Sequence, residues 1–410
     1  MAHLPYHRRE IAPLLQRLLG QFPVVVVSGL RQTGKSTLLQ EEPAVSRGRT
    51  YVTLDDLDAF ALSRDDPSRL LNNAARLAVD EVQRSPEIFL TIKRLVDQQR
   101  DPGQFVLSGS ANLLLHQRVA DSLAGRAYYA YLHPLNRRER LGALGEQPAL
   151  LRFVDEGSWP AVSMPAVDDL EIMRGGFPEV ALRPEIDAGL WFDAFERTYL
   201  ERDVRDLRQV EDLVGLHRLL RLAALRVGSV LNISGLARDA RLTESTARRY
   251  LDLLETLMVL RRLPPFLGNR SSRLIKSAKL YFADSGLAAR LASVTSIAAA
   301  SADSLRGALI ETFVLQNLVA TLEPHAPDVR FYYWNEQSQR EVDFVIELGK
   351  KVIAIEVKAQ GRIHPADSKN LENFLGRTPA CAAGILAYQG DKVLEIRDKI
   401  WAVPLSVLLA

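Results

Sequence analysis

Val24-Val25-Val26-Val27-Ser28-Gly29-Leu30-Arg31-Gln32-Thr33-Gly34-Lys35-Ser36-Thr37-Leu38-Leu39 decides how the first third of the chain folds. Four consecutive β-branched apolar residues predict a strand buried on both faces. The next eight residues, Gly29 to Ser36, match GxxxxGK[ST] at every fixed position. In such a loop the glycines let the backbone curl so that successive N–H groups point at phosphate oxygens. Lys35 adds a point charge at the β/γ-phosphates and Ser36 a hydroxyl for Mg²⁺. Thr37-Leu38-Leu39 opens a helix whose N-terminal dipole favours an anion. Gly29, Leu30, Arg31, Gln32, Thr33, Gly34, Lys35, Ser36 and Thr37 are therefore the expected phosphate contacts of a nucleotide. A strand before and a helix after make a chance Gly-rich turn the poorer reading.

Outward from this loop, Tyr51-Val52-Thr53-Leu54, Leu77-Ala78-Val79 and Phe105-Val106-Leu107 are three more short apolar runs separated by helix-length segments. Strands alternating with helices predict a parallel sheet covered on both faces, an α/β fold. The second of these runs ends in Asp80-Glu81. An acid at a strand's C-terminal end beside the loop suits the Mg²⁺ ligand shell, and the following carboxylate suits polarising the attacking water. Arg76 interrupts that run, and a strand end with two solvated acids reads the same way. Phe105–Leu107 leads into Ser108-Gly109-Ser110-Ala111-Asn112. Ser110 is the candidate there for orienting the water, with a helix cap as its alternative role.

The chain has 410 residues, 47% hydrophobic, enough for two or three domains without a covalent staple. One cysteine, Cys381, leaves no internal disulfide framework and fits a reducing cytoplasm. No apolar run approaches the ~18 residues of a spanning helix. Met1 to Glu10 is polar and basic with no apolar stretch after it, so neither a signal peptide nor membrane association is expected. The 52 Lys+Arg nearly balance 50 Asp+Glu, but unevenly: residues 216–276 hold twelve Lys/Arg against four Asp/Glu. Such a surplus points to an anionic partner. Texture along the chain suggests domains at 1–147 (ATPase core), 148–210 (helical lid), 211–300 (basic, DNA-binding) and 301–410 (C-terminal α/β).

Within the basic block, Asn232 to Ala240 reads as a short helix. A turn at Arg241-Leu242 follows, then Thr243 caps a helix to about Thr256. Leu236, Ala237, Ala240, Ala247, Leu251 and Leu254 fit a helix-turn-helix core. Ser245, Arg248 and Arg249 are left on the outer side near the start of the second helix, where a recognition helix meets DNA. Arg261, Arg262, Arg270, Arg273 and Lys276 are expected in a wing and its phosphate contacts. A solvated basic face or a subunit contact is the alternative.

Glu341-Val342-Asp343-Phe344-Val345-Ile346-Glu347 and Val352-Ile353-Ala354-Ile355-Glu356-Val357-Lys358 both alternate, with Gly349-Lys350 suited to a two-residue turn between them. In that register paired positions sum to 699. Val342, Phe344 and Ile346 then face Val357, Ile355 and Ile353. On the other face Asp343 lies opposite Glu356, and Glu341 opposite Lys358. Opposed like charges are destabilising, and a divalent cation between them removes the conflict. A Glu341–Lys358 ion pair on an exposed hairpin is the alternative.

The chain resembles the prokaryotic AAA+ ATPases that carry a winged-helix segment and a C-terminal restriction-endonuclease-like (PD-(D/E)xK) domain. The resemblance rests on Gly29–Ser36, Asp80-Glu81-Val82-Gln83, Leu107-Ser108-Gly109-Ser110, Ser122-Leu123-Ala124-Gly125-Arg126, Lys279 to Leu287, and the D…ExK set Asp343, Glu356 and Lys358. It implies that Arg126, with Arg118 as competitor, is an arginine finger reaching a neighbouring subunit's ATP, and that the chain forms a ring, a hexamer. It also implies that Asp343 and Glu356, joined by Glu311 from the preceding helix, bind Mg²⁺ or Mn²⁺ while Lys358 activates water. Glu311 lies on an apolar stripe with Val314, Leu315 and Leu318, where an acid needs a partner. The expected function is a cytoplasmic, Mg²⁺-dependent ATPase that remodels DNA, branched or Holliday-junction DNA by analogy with junction resolvases. A nucleotide-gated DNA-binding switch, or a chaperone-like ATPase acting on proteins, are the competing classes.

Overall fold

Strand β1 (Val24–Gly29) is buried at all six positions, and its valines divide between two cores. Val25 and Val27 pack with Leu14, Leu15 and Leu18 of α1 (Ala12–Leu19) and Leu38 and Leu39 of α2 (Lys35–Glu41). Val24 and Val26 meet Ile88, Phe89, Ile92 and Val96 of α3 (Ile88–Gln98) on the other face. Each buried valine contributes about 1.5–3 kcal/mol, so Val26→Asp would break the sheet by burying an unpaired charge. Around β1 lie β2 (Thr50–Thr53), β3 (Leu77–Asp80), β4 (Phe105–Ser110) and β5 (Ala127–Tyr131), in the order β2-β3-β4-β1-β5. All four pairings are parallel. Apolar periodicity accounts for four of these strands; β5, rich in tyrosine and only half-buried, carries no apolar run.

This computed structural model describes residues 5–110, 123–200, 210, 212–267, 273, 276–296, 305–336 and 340–410. Arg118 and Arg270 lie outside the described residues. The chain divides into two units, Met1–Leu135 with Thr256–Val259, and Asn136–Glu255 with Leu260–Ala410.

The second unit opens with short helices, among them Ala149–Glu156 and Ala188–Phe195. Then come α4 (Leu213–Ala224), α5 (Ile233–Ala240) and α6 (Glu244–Thr256). Asn232 caps α5 by accepting the Gly235 N–H at 2.9 Å, and Arg241 ends it in a left-handed conformation, φ +57°. Thr243 accepts the Thr246 N–H at 3.2 Å and starts α6. Leu236, Ala237, Ala240, Ala247, Leu251 and Leu254 are all buried, giving a helix-turn-helix. An antiparallel hairpin follows, β6 (Leu260–Leu263) with β7 (Lys279–Phe282).

Helix α7 (Ser285–Leu291) leads to the long α8 (Leu305–His325), which packs against β7 and against β10 of the last sheet. That sheet contains β8 (Arg330–Glu336), β9 (Arg340–Leu348), β10 (Lys351–Lys358), β11 (Cys381–Tyr388), β12 (Leu394–Arg397) and β13 (Ile400–Pro404). Its order is β12-β13-β11-β10-β9-β8, mixed in direction, with α9 (Lys369–Arg377) against β9, β10 and β11.

The β9–β10 register is the predicted one for five pairs, from Lys351↔Leu348 to Ile355↔Phe344. Gly349 has φ +61° at the turn, as its place requires. The pairing then stops, because β9 carries a bulge: Tyr332 faces Val345 while Trp334 faces Val342, three residues against two. The extra residue turns the strand over. Val342 joins Val345 in the core with Phe374 rather than facing Val357. Asp343 is therefore not laddered opposite Glu356, nor Glu341 opposite Lys358.

Candidate functional site

The loop after β1 is closed by its own side chains. Gly34 has φ +92° at the start of α2, and a Cβ on Gly29 would lie 2.4 Å from the Leu132 carbonyl oxygen, so both glycines are required by geometry. Lys35 donates to the carbonyls of Gly29 and Leu30 at 3.1 and 2.7 Å, and Thr33 to Leu30 at 2.9 Å. From below, Arg9 donates to the Thr33 and His133 carbonyls, both at 2.7 Å. Ser36 is half-buried and Thr37 exposed.

Asp80 ends β3 one strand away from β4 and is buried. Its carboxylate accepts from the Tyr51 hydroxyl at 2.8 Å, from the Glu81 N–H at 3.0 Å and from the Ser108 hydroxyl. The hard oxygens of Asp80 and Ser36 fit Mg²⁺. Glu81 stands in a left-handed conformation, φ +56°, with the Gln83 amide on its carboxylate. Burial, then the Asp80 charge, raises its pKa, while Lys35 and Arg31 lower it. Ser110 is buried at the end of β4 and pairs with Gly29, at the root of the loop. The serine that bonds the acid is Ser108, two residues before Ser110. The parallel register, which aligns Val79 with Leu107, puts Asp80 and Ser108 side by side.

Arg126 precedes β5, whose first residue pairs with Val24, at the start of β1. The phosphate loop begins five residues further along that strand, roughly 17 Å away at strand rise. The guanidinium forms two bonds to Asp97, at 2.7 and 2.8 Å.

In the helix-turn-helix, Ser245, Arg248 and Arg249 are exposed on α6. Arg248 pairs with Glu244 at 3.1 Å and Arg249 stacks on Tyr250. Of the predicted wing contacts, Lys276 is exposed, while Arg261, Arg262 and Arg273 are engaged by acids. Arg261 pairs with Glu323 at 3.0 Å, and Arg262 with Asp252 at 2.7 Å. Arg273 is buried between the rings of Phe266 and Tyr332 and bonded to Glu347 at 3.0 Å. Arg273 is thus buried in the domain, while Arg261 and Arg262 remain half-buried beside their acids.

The C-terminal acids gather around a lysine. The Lys279 ammonium, 2% exposed, is ion-paired with Glu341 and lies 3.7 Å from Asp343 and 3.9 Å from Glu311. Tyr281 donates to Glu311 at 2.8 Å. Asp343 also accepts the Val357 N–H at 2.8 Å, and Lys358 pairs with Glu356 at 3.0 Å. Burial, then Asp343, pushes the carboxyls of Glu311 and Glu356 up to about 8, against the pull of Lys279 and Lys358 respectively. Burial opposes the Lys279 charge, but Asp343, Glu311 and Glu341 outweigh it and raise its pKa. The second oxygen of Glu356 is buried without a hydrogen bond. Among the described residues no group of three or more His, Cys, Asp or Glu is arranged to hold a metal. The donor set is right for a hard cation, and an ammonium stands in it. Lys279 and Tyr281 are site residues that reading the sequence misses; their i, i+2 spacing beside an apolar run is the available signal.

Comparison with known proteins gives three family matches along the chain. An AAA domain family matches residues 21–141, and two domains of unknown function, DUF8612 and DUF4143, match 169–298 and 306–408. Uncharacterized proteins of Mycobacterium bovis and Mycobacterium tuberculosis are 30% identical over 403 residues, 98% of this chain and 84% of theirs. An uncharacterized protein of Methanocaldococcus jannaschii is 23% identical over 285 residues, 64% of this chain and 60% of its own. Among solved structures, a Walker-type ATPase of Pyrococcus abyssi aligns at TM-score 0.44 and 16% identity, covering 71% of this chain and 99% of that one. The RuvB Holliday junction branch migration motor of Thermotoga maritima aligns at TM-score 0.27 and 16% identity, covering 62% and 89%. No helix among the described residues is long and apolar enough to cross a membrane. Full-length identity makes the chain a member of the same family as the mycobacterial proteins, with an AAA+ ATPase domain as its first unit.

Proposed function

We propose that the protein is a Mg²⁺-dependent AAA+ ATPase that couples ATP hydrolysis to the binding and remodelling of DNA, branched DNA in particular. The observation that carries the reading is the pairing of a complete phosphate loop with an oriented Asp80. Tyr51 and Ser108 fix that carboxylate before any ligand arrives, which is the preorganisation that phosphoryl transfer demands. Mg²⁺ would supply charge at the β/γ-phosphates, with Ser36 and Asp80 as its protein-side oxygens. Lys35 holds the phosphates and Glu81 polarises the water. Arg126 acts on the ATP of a neighbouring subunit in a ring, a hexamer. The exposed edge Ser245, Arg248 and Arg249 of α6 supports contact with DNA.

A second reading, a nucleotide-gated DNA-binding switch with a silent nuclease-like domain, is favoured by the ammonium of Lys279 among the carboxylates. One experiment separates the two. ATP turnover is followed while fork, four-way junction, single-stranded and linear duplex DNA are titrated, with Lys35→Ala and Glu81→Gln as controls. Junction-stimulated turnover with strand displacement supports the motor; DNA binding that changes with nucleotide but displaces nothing supports the switch. If no DNA is bound in any nucleotide state, both fail.

A further inference from the structure

We propose that the Lys279 ammonium occupies the cation position of the C-terminal carboxylate cluster and competes there with a divalent metal ion, so that metal binds only when Lys279 withdraws. The proposal rests on reading Asp343, Glu356 and Glu311 as a metal-binding set.

The backbone shows that the placement of Lys279 is enforced. Lys279 pairs with Leu263 in the hairpin on one side and bridges to Val230 on the other, so β7 is held from both edges. Its side chain and that of Tyr281, two residues on, leave the same face of the strand. Both reach the same acids: Lys279 approaches Glu311, Glu341 and Asp343, and Tyr281 bonds Glu311. A buried ammonium is costly unless carboxylates surround it, and buried carboxylates equally require a cation. Four carboxylates, Glu311, Glu341, Asp343 and Glu356, stand around the two ammoniums of Lys279 and Lys358, and one oxygen of Glu356 has no hydrogen bond. The two lysines balance only two of the four charges, and either protons on Glu311 and Glu356 or a further cation makes up the rest. A divalent ion bonded to Asp343 and Glu311 at about 2.0–2.6 Å would sit within a few ångströms of the Lys279 ammonium, and the two cations exclude one another. Because Lys279 belongs to the hairpin that follows the helix-turn-helix, anything that shifts β7 changes how well the cluster holds metal.

The test is a calorimetric Mn²⁺ titration of nucleotide-free full-length protein. Lys279→Met, which keeps the length and removes the charge, is expected to raise Mn²⁺ affinity at least about ten-fold, the least that a like charge roughly 4 Å away should oppose. Lys279→Arg is expected to bind as weakly as the parent. Adding Asp343→Asn to Lys279→Met should abolish the gain. Should Lys279→Met be destabilised by its unneutralised acids, Mn²⁺ is expected to raise its melting temperature and not that of the parent. Equal Mn²⁺ affinity in parent and Lys279→Met, lost from both with Asp343→Asn, would overturn the competition while leaving the metal site standing. No uptake sensitive to Asp343→Asn in any variant would sink the metal reading and the competition together.

Discussion

The Tyr51 hydroxyl donates to Oδ2 of Asp80 at 2.8 Å, tying strand β2 to the acid at the end of β3. Burial, and then the Asp80 charge, pushes the phenol up to about 12, so it stays protonated and donating throughout the working pH range. Tyr51→Phe should leave ATP affinity nearly unchanged and lower turnover about 10- to 150-fold, the range set by a hydrogen bond to a charged group. Steady-state kinetics checks it; a change confined to KM would mean that Tyr51 serves binding instead.

Gly29 and Gly34 fail differently when substituted. Gly29→Ala places a methyl 2.4 Å from the Leu132 backbone oxygen, so β1 and the segment after β5 must separate and the first unit loses stability. Gly34→Ala meets strain from φ +92°, about 1–2 kcal/mol, at the point where the loop enters α2. Thermal melting should fall for both, and ATP affinity should fall in Gly34→Ala even where the protein remains folded.

Arg126 cannot reach its own phosphate loop if it acts on ATP, given its position at the opposite end of the β1–β5 pair. Arg126→Ala should bind ATP normally yet turn it over at least about 10³-fold more slowly. Mixing it with Lys35→Ala should restore part of the activity, since each subunit then lacks a different half of a shared site. Turnover that does not recover on mixing argues for a purely structural Asp97–Arg126 pair.

Arg248→Ala and Arg249→Ala should weaken DNA binding and together flatten its dependence on log salt by about two contacts' worth, ~0.9 per phosphate. Arg273→Ala should instead lower the melting temperature, because it removes the guanidinium between Phe266 and Tyr332 and leaves Glu347 unpaired. Filter binding across a salt series, beside melting curves, distinguishes the two classes.

Stability of the second unit should depend on pH through its acid cluster. Glu311 and Glu356 have folded pKa values raised to about 8 from an ordinary 4.5. The folded state therefore binds protons more tightly than the unfolded one between these limits. Its advantage is full below about pH 4.5 and is lost as pH rises through about 8, at up to about 1.4 kcal/mol per pH unit for each group. Urea unfolding at pH 5 to 9 should show this decline, and Glu311→Gln should make it shallower.

Motifs that depend on local spacing are legible in the amino-acid sequence itself. Gly29–Ser36 is contiguous, and the α5–α6 caps at Asn232 and Thr243 lie next to the helices they start. The hairpin register is equally readable, since Gly349-Lys350 fixes it and alternation does the rest as far as Phe344. What escapes is whatever depends on strands far apart in the chain. Tyr51 and Ser108 meet Asp80 only because β2, β3 and β4 are neighbours in the sheet. The partners of Arg261 and Arg273, Glu323 and Glu347, lie 62 and 74 residues away. A charge surplus counted over a window thus overstates the free basic surface, because acids from outside the window neutralise it. Alternation likewise carries no mark of a bulge, and so the assignment of Val342, Glu341 and Lys358 fails at that point.

That bulge makes the chemistry of the C-terminal domain a matter of odd and even counting. With one residue more between Val342 and Val345 than the partner strand has, Glu341 arrives on the side where Lys279 waits and Val342 on the side of Phe374. Remove a single position there and the upstream arm of β9 would present each side chain to the wrong neighbour, valine to the ammonium and glutamate to the oily core. Point changes along this arm alter one contact each, whereas a one-codon deletion rewrites all of them together. Length, more than composition, is what this stretch of chain must preserve.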